Sequence, residues 1–237
     1  MKTFYLPFTK TIILAAIFAV ALNRSSNGAV TNYIWNVSNP SPSSTWNTVG
    51  NWLPATGYPG AGGDTADTVV FGSVGTVSSA TSTDSVVSVN TTISTLNYTN
   101  IGGTFHVTDI PGGVILTVTN FNEGLADATA TEMAMLDAGT LVVNGSMTIG
   151  AAETANATQV ANFGGLSNFV FNASAGTMNL GPANDSIVNI TLAGASNSVT
   201  AGTIDYNINA SSSSSTTTFA LGGGTNIINV GTFDLAY

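Results

Sequence analysis

One short phrase recurs along this chain and limits what it can fold into. Its two clearest copies are "SVTAGTIDYN" at 198–207 and "INVGTFDLAY" at 228–237, which share Gly-Thr followed by apolar residues on either side of Asp. The full set of pairs is Gly103-Thr104, Gly139-Thr140, Gly176-Thr177, Gly202-Thr203 and Gly231-Thr232. Neighbouring copies start 26 to 37 residues apart. Recurrence at such a period is typical of a solenoid, in which each unit buries its apolar face only against the next unit.

The residues inside the phrase favour a corner followed by a strand. Gly accepts corner conformations that other residues resist, and Thr with alternating apolar residues suits a strand with one inward face. Similar short strands are predicted at 85–90, 94–99, 104–108, 114–119, 140–145, 168–172, 177–181 and 187–194. We therefore predict an all-β fold, a right-handed parallel β-helix. The unequal intervals indicate loops inserted into the coils.

Two alternatives stay open at this stage. An antiparallel β-sandwich also has short strands separated by turn signals, although the Gly-Thr intervals are longer than hairpins require. The segment at 123–139, "EGLADATATEMAMLDAG", is rich in Ala, Met and acidic residues and suits a helical turn, while its Thr residues suit a strand equally well.

Residues 30–73 are predicted to be an N-terminal cap segment, followed by solenoid coils over 74–237. The segment holds Trp35, Trp46 and Trp52, together with several Pro and Gly residues that favour extended and turn geometry. A first coil needs such a cap because it would otherwise expose apolar core and free strand edges.

Residues 1–29 are predicted to be a signal peptide. Lys2 and Lys10 precede an apolar run, "TIILAAIFAVAL" at 11–22, and small residues follow it. The run is short for a membrane span, and no second apolar run reaches spanning length. We expect a protein that is secreted or held at the cell surface, and a mature chain that does not span a membrane.

The charges are distributed unevenly and exclude several classes of function. All basic residues, Lys2, Lys10 and Arg24, precede the twelve acidic ones. A region without Lys or Arg cannot neutralise nucleic-acid phosphates or attract anionic lipid. It also cannot bind a carboxylate through the paired N–H groups of an Arg guanidinium. No nucleic-acid partner is expected. The chain also has no Cys, so neither disulfides nor thiolate metal sites can form.

The stretch "STWNTVGNWLPATGYPGAGGDTADTVVFG" at 44–72 resembles the N-terminal segment of secreted bacterial β-helix proteins of the autotransporter-passenger-like kind. Their Trp-Asn…Asn-Trp phrase, their Pro-Gly-x-Gly-Asp phrase and their strand repeats have counterparts here. The resemblance implies a right-handed parallel β-helix that is exported, displayed or released, usually without known enzyme activity. Such proteins normally continue into further coils, so we expect this chain to be truncated or to continue beyond Tyr237, or to be attached by another route.

The sequence offers little for catalysis. A β-helix lyase abstracts a proton with a basic residue, commonly Arg, and a hydrolase of this fold uses clustered aspartates with a nearby His. His106 has Asp109 three residues on, and a strand directs these two side chains to opposite faces. We interpret His106 as a surface strand residue and predict no enzyme activity.

A Ca²⁺ site is the best candidate for bound metal. Asp64 and Asp67 lie in the glycine-rich stretch "GGDTADT" at 62–68, and Ca²⁺ prefers carboxylate and carbonyl oxygens. The stretches at 121–127 and 182–186 are weaker candidates, and Zn²⁺ is not expected with one His and no Cys. No other cofactor is predicted.

These features together predict a secreted or surface-displayed structural or adhesive β-solenoid protein without catalytic activity. Its partners would be glycans or other cell-surface components, bound through Asn, Thr and exposed aromatic residues. The serine- and threonine-rich stretch at 211–218 is expected to protrude from a coil as a loop. The alternative is a polysaccharide-active or carbohydrate-binding β-helix protein.

Overall fold

The computed structural model describes residues 30–38, 44–100, 103–124, 128–150, 153–181, 187–207 and 216–236. These ranges contain strands, two short 3-10 turns and no α-helix. The strands are β1 (Asn32–Trp35), β2 (Trp52–Leu53), β3 (Thr68–Phe71), β4 (Ser85–Val86), β5 (Thr91–Tyr98), β6 (Phe105–Asp109), β7 (Ile115–Glu123), β8 (Ala128–Leu136), β9 (Thr140–Ile149), β10 (Glu153–Asn162), β11 (Asn168–Leu180), β12 (Ile187–Thr191), β13 (Ser196–Asn207), β14 (Thr216–Ala220) and β15 (Thr225–Ala236). The signal segment at 1–29 lies outside the described residues.

The strands form two sheets, and from β3 onward the chain visits them alternately. Sheet A has the order β15-β13-β11-β9-β7-β5-β3-β1-β2, and sheet B has the order β14-β12-β10-β8-β6-β4. All strand pairs from β3 to β15 are parallel, because each strand pairs with those one coil before and one coil after it. The fold is therefore a parallel β-helix, as predicted, and the antiparallel β-sandwich alternative is wrong.

Stacked apolar side chains fill the interior of the coils. One such column runs through Leu96, Phe121, Met147, Met178 and Ile204, which register as neighbours on successive strands of sheet A and are all buried. Burying a side chain of this size contributes about 1.5–3 kcal/mol relative to leaving it exposed. Each coil gains that contribution only when the next coil covers it, which is why the repeat recurs.

Each long strand of sheet A turns a corner partway along its length. In β7 the buried inward residues are Leu116 and Val118, then Phe121, so the alternation changes phase by one residue. Since successive residues of a strand point to opposite faces, both halves face the core only if the strand bends between them. Register shifts in β9 and β11 fall at the same place. From β5 onward, each described coil therefore has three straight segments, two from sheet A and one from sheet B.

The recurring sequence phrase marks this corner in three coils. Thr177 registers with Thr203, and Thr203 registers with Thr232, each preceded by its Gly. One coil earlier the equivalent pair is Gly145-Ser146, because Met147 registers with Met178. Gly103 and Gly139 instead precede the first residues of β6 and β9. Those two copies are therefore not equivalent to the three at the corner. Gly-Thr recurs in both places because it suits the start of any strand that follows a turn.

The connecting segments differ between the two sides of the solenoid. Segments leading from sheet B to sheet A are 3 to 5 residues long and cover 87–90, 110–114, 137–139, 163–167, 192–195 and 221–224. Segments leading from sheet A to sheet B are 3 to 13 residues long and cover 72–84, 99–104, 124–127, 150–152, 181–186 and 208–215. The intervals that involve Gly103 and Gly139 are longer because these residues are not at the corner. Between equivalent positions, the spacing varies with the connections on one side and with extra residues at the corner.

Tryptophan side chains fill the N-terminal end. The Trp35 and Trp52 ring centroids are 4.9 Å apart, those of Trp46 and Trp52 are 5.6 Å apart, and Trp46 lies 5.7 Å from Phe71. All these rings are buried. The strand β2 pairs antiparallel with β1 and so covers the outer edge of sheet A. Aromatic rings and one reversed strand thus take the place of a preceding coil.

The described part of the segment at 123–139 contains no helix. Residues Ala128–Leu136 form β8, and Met133 and Met135 lie buried in the core. Stacking against β6 and β10 outweighs the helical preference of Ala and Met. No helix within the described ranges has the length and apolar character to cross a membrane.

Tight packing between the connecting segments of neighbouring coils predicts a strong effect of one methyl group. A Cβ at position 139 would overlap the Ile110 carbonyl oxygen and side chain, whereas one at Gly112 would meet nothing closer than 4.0 Å. We expect Gly139→Ala to lower the free energy of unfolding by about 1–3 kcal/mol through overpacking. Gly112→Ala, in the neighbouring coil, should leave it nearly unchanged. Urea denaturation measures both, and equal effects would contradict the packing described.

Candidate functional site

The most regular surface of the molecule is the outer side of the sheet A segments that follow the corner. We call it the Thr/Asn face. Both of its columns point outward. The inner column, nearer the corner, is Thr68, Thr95, Asn120, Ser146, Thr177, Thr203 and Thr232. The outer column, nearer the end of each strand, is Val70, Asn97, Asn122, Thr148, Asn179, Asp205 and Asp234. Each of these residues alternates with an inward-facing one and is half-buried or exposed. The face thus presents hydroxyl, amide and carboxylate groups, together with the methyls of Val70 and Thr.

Side chains on the face hydrogen-bond from coil to coil. Asn122 Nδ2 donates to Asn97 Oδ1 at 2.9 Å, and Ser146 Oγ donates to Asn120 Oδ1 at 2.8 Å. Bonds of this kind hold neighbouring polar groups in fixed orientations. Parallel strands are spaced about 4.8 Å apart, and residues two apart on one strand lie about 6.6 Å apart. The face is therefore a polar grid with two spacings set by the backbone.

The variable connections border this face. Each segment that leads from sheet A to sheet B begins two or three residues after the outer-column residue of its strand. The C-terminal ends of the sheet A strands therefore lie along one edge of the grid. The described part of the candidate stretch at 121–127, residues 121–124, lies at this edge. The prediction of a loop over 211–218 is wrong for its described residues, because Thr216–Thr218 form the start of β14. Residues 125–127, 182–186 and 211–215 lie outside the described residues. Binding residues are commonly found on loops held by a rigid scaffold, and this edge has that arrangement.

Negative charge on the face is concentrated near the last coils. Asp205 and Asp234 register on neighbouring strands, and no Lys or Arg follows Arg24. The described ranges contain no group of three or more His, Asp or Glu side chains placed to hold a metal ion.

The predicted Ca²⁺ ligands Asp64 and Asp67 lie together at the start of β3, next to a 3-10 turn. Asp67 is buried, and its Oδ2 accepts a hydrogen bond from Gly60 N at 2.9 Å. Asp64 is half-buried, and its Oδ1 accepts one from Ala66 N at 3.0 Å. Burial raises the pKa of Asp67, and the nearby Asp64 carboxylate raises it further. Both carboxylates therefore fix the turn, and Ca²⁺ binding here stays a prediction.

The interpretation of His106 as a surface residue is wrong. His106 is fully buried on β6, and its ring lies 4.9 Å from that of Phe71 and 6.3 Å from that of Tyr98. Its position registers with Met133, an inward-facing residue, so the side chain points into the core. Asp109 is not its partner and lies at the end of the same strand.

The partner of His106 is Asp84. His106 Nδ1 lies 2.6 Å from Asp84 Oδ2, which also accepts a hydrogen bond from Val107 N at 3.2 Å. His106 Nε2 lies 2.6 Å from the Gly72 carbonyl oxygen, and a carbonyl only accepts, so Nε2 carries a proton and donates it. Burial raises the pKa of Asp84, while the hydrogen bond and charge of His106 act in the opposite direction.

This buried pair ties together segments that are far apart in sequence. Gly72 follows β3, Asp84 precedes β4 and His106 lies on β6. All three stand near the first coil, beside the tryptophan-filled end. Sequence reasoning missed Asp84 because it lies 22 positions before His106, and only the register of sheet B brings the two together. With both ring nitrogens engaged, His106 serves packing and orientation.

Comparison of the chain with protein-family models, curated proteins and solved structures gave no match to any of them.

Removing one partner of the buried His106–Asp84 pair should lower the free energy of unfolding. His106→Ala leaves the Asp84 carboxylate without its main partner, and breaking a buried pair in this way typically costs about 3–5 kcal/mol. We expect a loss of that size in urea denaturation. Asp109→Ala, on the same strand but half-buried, should cost much less. Equal losses would show that the pair does not hold the first coils together.

The raised pKa of Asp67 predicts a dependence on pH. Burial raises the pKa of Asp67 in the folded protein above the ordinary value of an Asp side chain. Protonated Asp67 therefore stabilises the folded protein fully at pH values below that ordinary pKa. This stabilisation is lost as pH rises through the raised pKa. Asp67→Asn keeps an acceptor for Gly60 N and removes the charge, so it should reduce this fall and stabilise the protein at neutral pH.

Asp205→Asn on the outer face is the matched control and should leave the fall in place. Melting temperatures across pH test the comparison, and an unchanged profile for Asp67→Asn would contradict it. A rise in melting temperature with added Ca²⁺ that Asp67→Asn abolishes would identify the predicted metal site.

Proposed function

We propose that this chain is an exported, non-catalytic β-solenoid that attaches to glycan-bearing surfaces through the Thr/Asn face. The observation that carries the proposal is the alignment of two outward columns over seven strands of sheet A, polar at every position except Val70. A structural scaffold alone does not need its outward residues to repeat Thr, Asn and Ser in these columns.

The chemistry of the face suits neutral sugars. Amides and hydroxyls both donate and accept hydrogen bonds, which is what sugar hydroxyls require, while the Thr methyls supply small apolar patches. Individual bonds of this kind contribute only about 0.5–1.5 kcal/mol each. A polymer that follows the grid would engage several coils at once, and this multivalency turns weak contacts into stable attachment.

Charge narrows the class of glycan. The face carries Asp205 and Asp234, and the chain beyond Arg24 offers no Lys or Arg for sulfate, phosphate or uronate groups. Anionic polysaccharides would be repelled, so neutral ones are the expected partners. The predicted signal peptide at 1–29 would deliver the face to the outside of the cell, and N-terminal sequencing of the exported protein tests that step.

One observation favours a second candidate, a polysaccharide hydrolase. Asp205 and Asp234 stand on neighbouring strands, whose spacing of about 4.8 Å is close to the separation of the two carboxyl groups in retaining glycosidases, about 5–5.5 Å. Those enzymes hold the scissile bond between their two carboxyl groups, whereas both aspartates here point outward from one surface. His106 is buried and engaged, so it supplies no exposed acid or base. The geometry therefore supports binding better than hydrolysis.

Binding through the face predicts a loss on removing neighbouring hydroxyls. Thr177→Ala combined with Thr203→Ala removes two hydroxyls in register, each contributing about 1 kcal/mol, so retention on a neutral polysaccharide should weaken by about tenfold or more. Pull-down on insoluble neutral polysaccharides measures retention.

The matched control is Thr92→Ala combined with Thr117→Ala, which also register but lie outward on the other segment of sheet A. Retention should be unchanged there, and an equal loss would reject the Thr/Asn face as the binding surface. Release of reducing ends from the same polysaccharides, abolished by Asp205→Asn, would favour the hydrolase.

A further inference from the structure

Asn144 and Gly145 lie at the corner of β9, where the strand leaves its regular ladder. The registered pairs on either side of the corner place these two residues opposite the single residue Thr119 of β7, which is a β-bulge. Toward β11, β9 registers again only from Met147. Within the described strands, neither Asn144 nor Gly145 therefore has a registered neighbour.

The same two residues can react with each other. The side chain of Asn144 is exposed, and the residue that follows it has no side chain. A backbone nitrogen that belongs to Gly is the least hindered nucleophile for the Cγ atom of the preceding Asn, and Gly also allows the widest range of backbone angles. A regular ladder resists the rotation that brings these two atoms together. The bulge lacks that restraint.

We propose that Asn144-Gly145 is a site of spontaneous deamidation in the folded protein. The Gly145 nitrogen attacks Asn144 Cγ, so that an N–Cγ bond forms and the Cγ–Nδ2 bond breaks. The side-chain nitrogen leaves as ammonia with the proton of the Gly145 amide. Water then opens the resulting succinimide ring at one of its two carbonyls. Opening at the side-chain carbonyl gives aspartate, and opening at the main-chain carbonyl gives isoaspartate.

The corner has little room for the isoaspartate product. A Cβ at Gly145 would lie 2.7 Å from the Thr119 carbonyl oxygen, and a Cβ at Gly176, one coil later, would overlap the Gly145 carbonyl oxygen. The main chains of three successive coils therefore lie in contact here. Isoaspartate adds one CH₂ group to the main chain and pushes Gly145 against its neighbours, and such overpacking destabilises a fold.

The next coil supplies a matched control residue. Asn172 is exposed and follows Phe171, which registers with the residue before Asn144. Unlike Asn144, it is followed by Ala173, and it registers with Thr200 of β13. The Ala methyl group hinders the attacking nitrogen and the ladder restrains the backbone, so Asn172 should keep its amide. The other Asn-Gly pair of the chain, at 27–28, lies outside the described residues.

Mass spectrometry of the folded full chain during incubation at mildly alkaline pH tests the site. No Lys or Arg follows Arg24, so the protein is cleaved after aromatic and large apolar residues. The peptide with Asn144 should give two products of equal mass, aspartate and isoaspartate. Its conversion should be faster than that of Asn172 by about tenfold or more, because small differences in activation free energy multiply a rate. Asn144→Gln should abolish the conversion, since the longer side chain closes a less favourable ring.

Comparison with the chain unfolded in urea separates the effect of the fold from that of the sequence. We expect Asn144 to convert in the folded protein at a rate close to that in the unfolded chain. Conversion confined to the unfolded chain would show that the corner protects the pair and would overturn the proposal. Equal rates at Asn144 and Asn172 in the folded protein would overturn it as well.

The melting temperature tests the effect of the longer main chain. Protein incubated until the isoaspartate peptide predominates should melt at a lower temperature than the variant Asn144→Asp, which carries the same added charge on an unchanged main chain. Equal melting temperatures would contradict the tight corner. These results are independent of whether the Thr/Asn face binds glycans.

Discussion

The structure depends on the stacking of inward side chains from one coil onto the next. No single coil can bury Phe121 or Met147, because the atoms that cover them belong to the neighbouring coils. The parallel ladder adds backbone hydrogen bonds along the same direction. With no disulfide and very few charges, the chain relies on this one-dimensional cooperation for its stability.

This dependence explains why the ends differ from the middle. At the N-terminus, aromatic rings and a reversed strand fill the place of a missing coil, and the buried His106–Asp84 pair joins three segments near that end. In β15, the last described strand, Ile228, Phe233 and Leu235 are exposed. Stacking also fixes the register of the outward residues. The even spacing of the Thr/Asn face therefore follows from the even stacking of the core beneath it.

Parts of this account could be predicted from the sequence and others could not. Alternating strands, their parallel stacking and the inserted connections follow from periodicity and glycine placement, which are local signals. The equivalence of Gly145-Ser146 to Gly176-Thr177 was missed because Ser replaces Thr and the intervals vary. Asn197 and Asn226 each lie five positions before the glycine of their phrase, and they register and hydrogen-bond at 2.8 Å. The burial of His106 was missed because a polar residue on a short strand gives no sign of its facing direction. Its partner Asp84 lies outside the repeat, so only the register of sheet B reveals it.

The central claim is that the outward polar residues of successive coils stand in register. Inter-strand nuclear Overhauser effects test it most directly. Backbone contacts should connect Thr148 to both Asn122 and Asn179, in the pattern of parallel strands. Contacts of the antiparallel type, or a shift of Thr148 by one residue against either neighbour, would contradict the stacked solenoid and the regular face that depends on it.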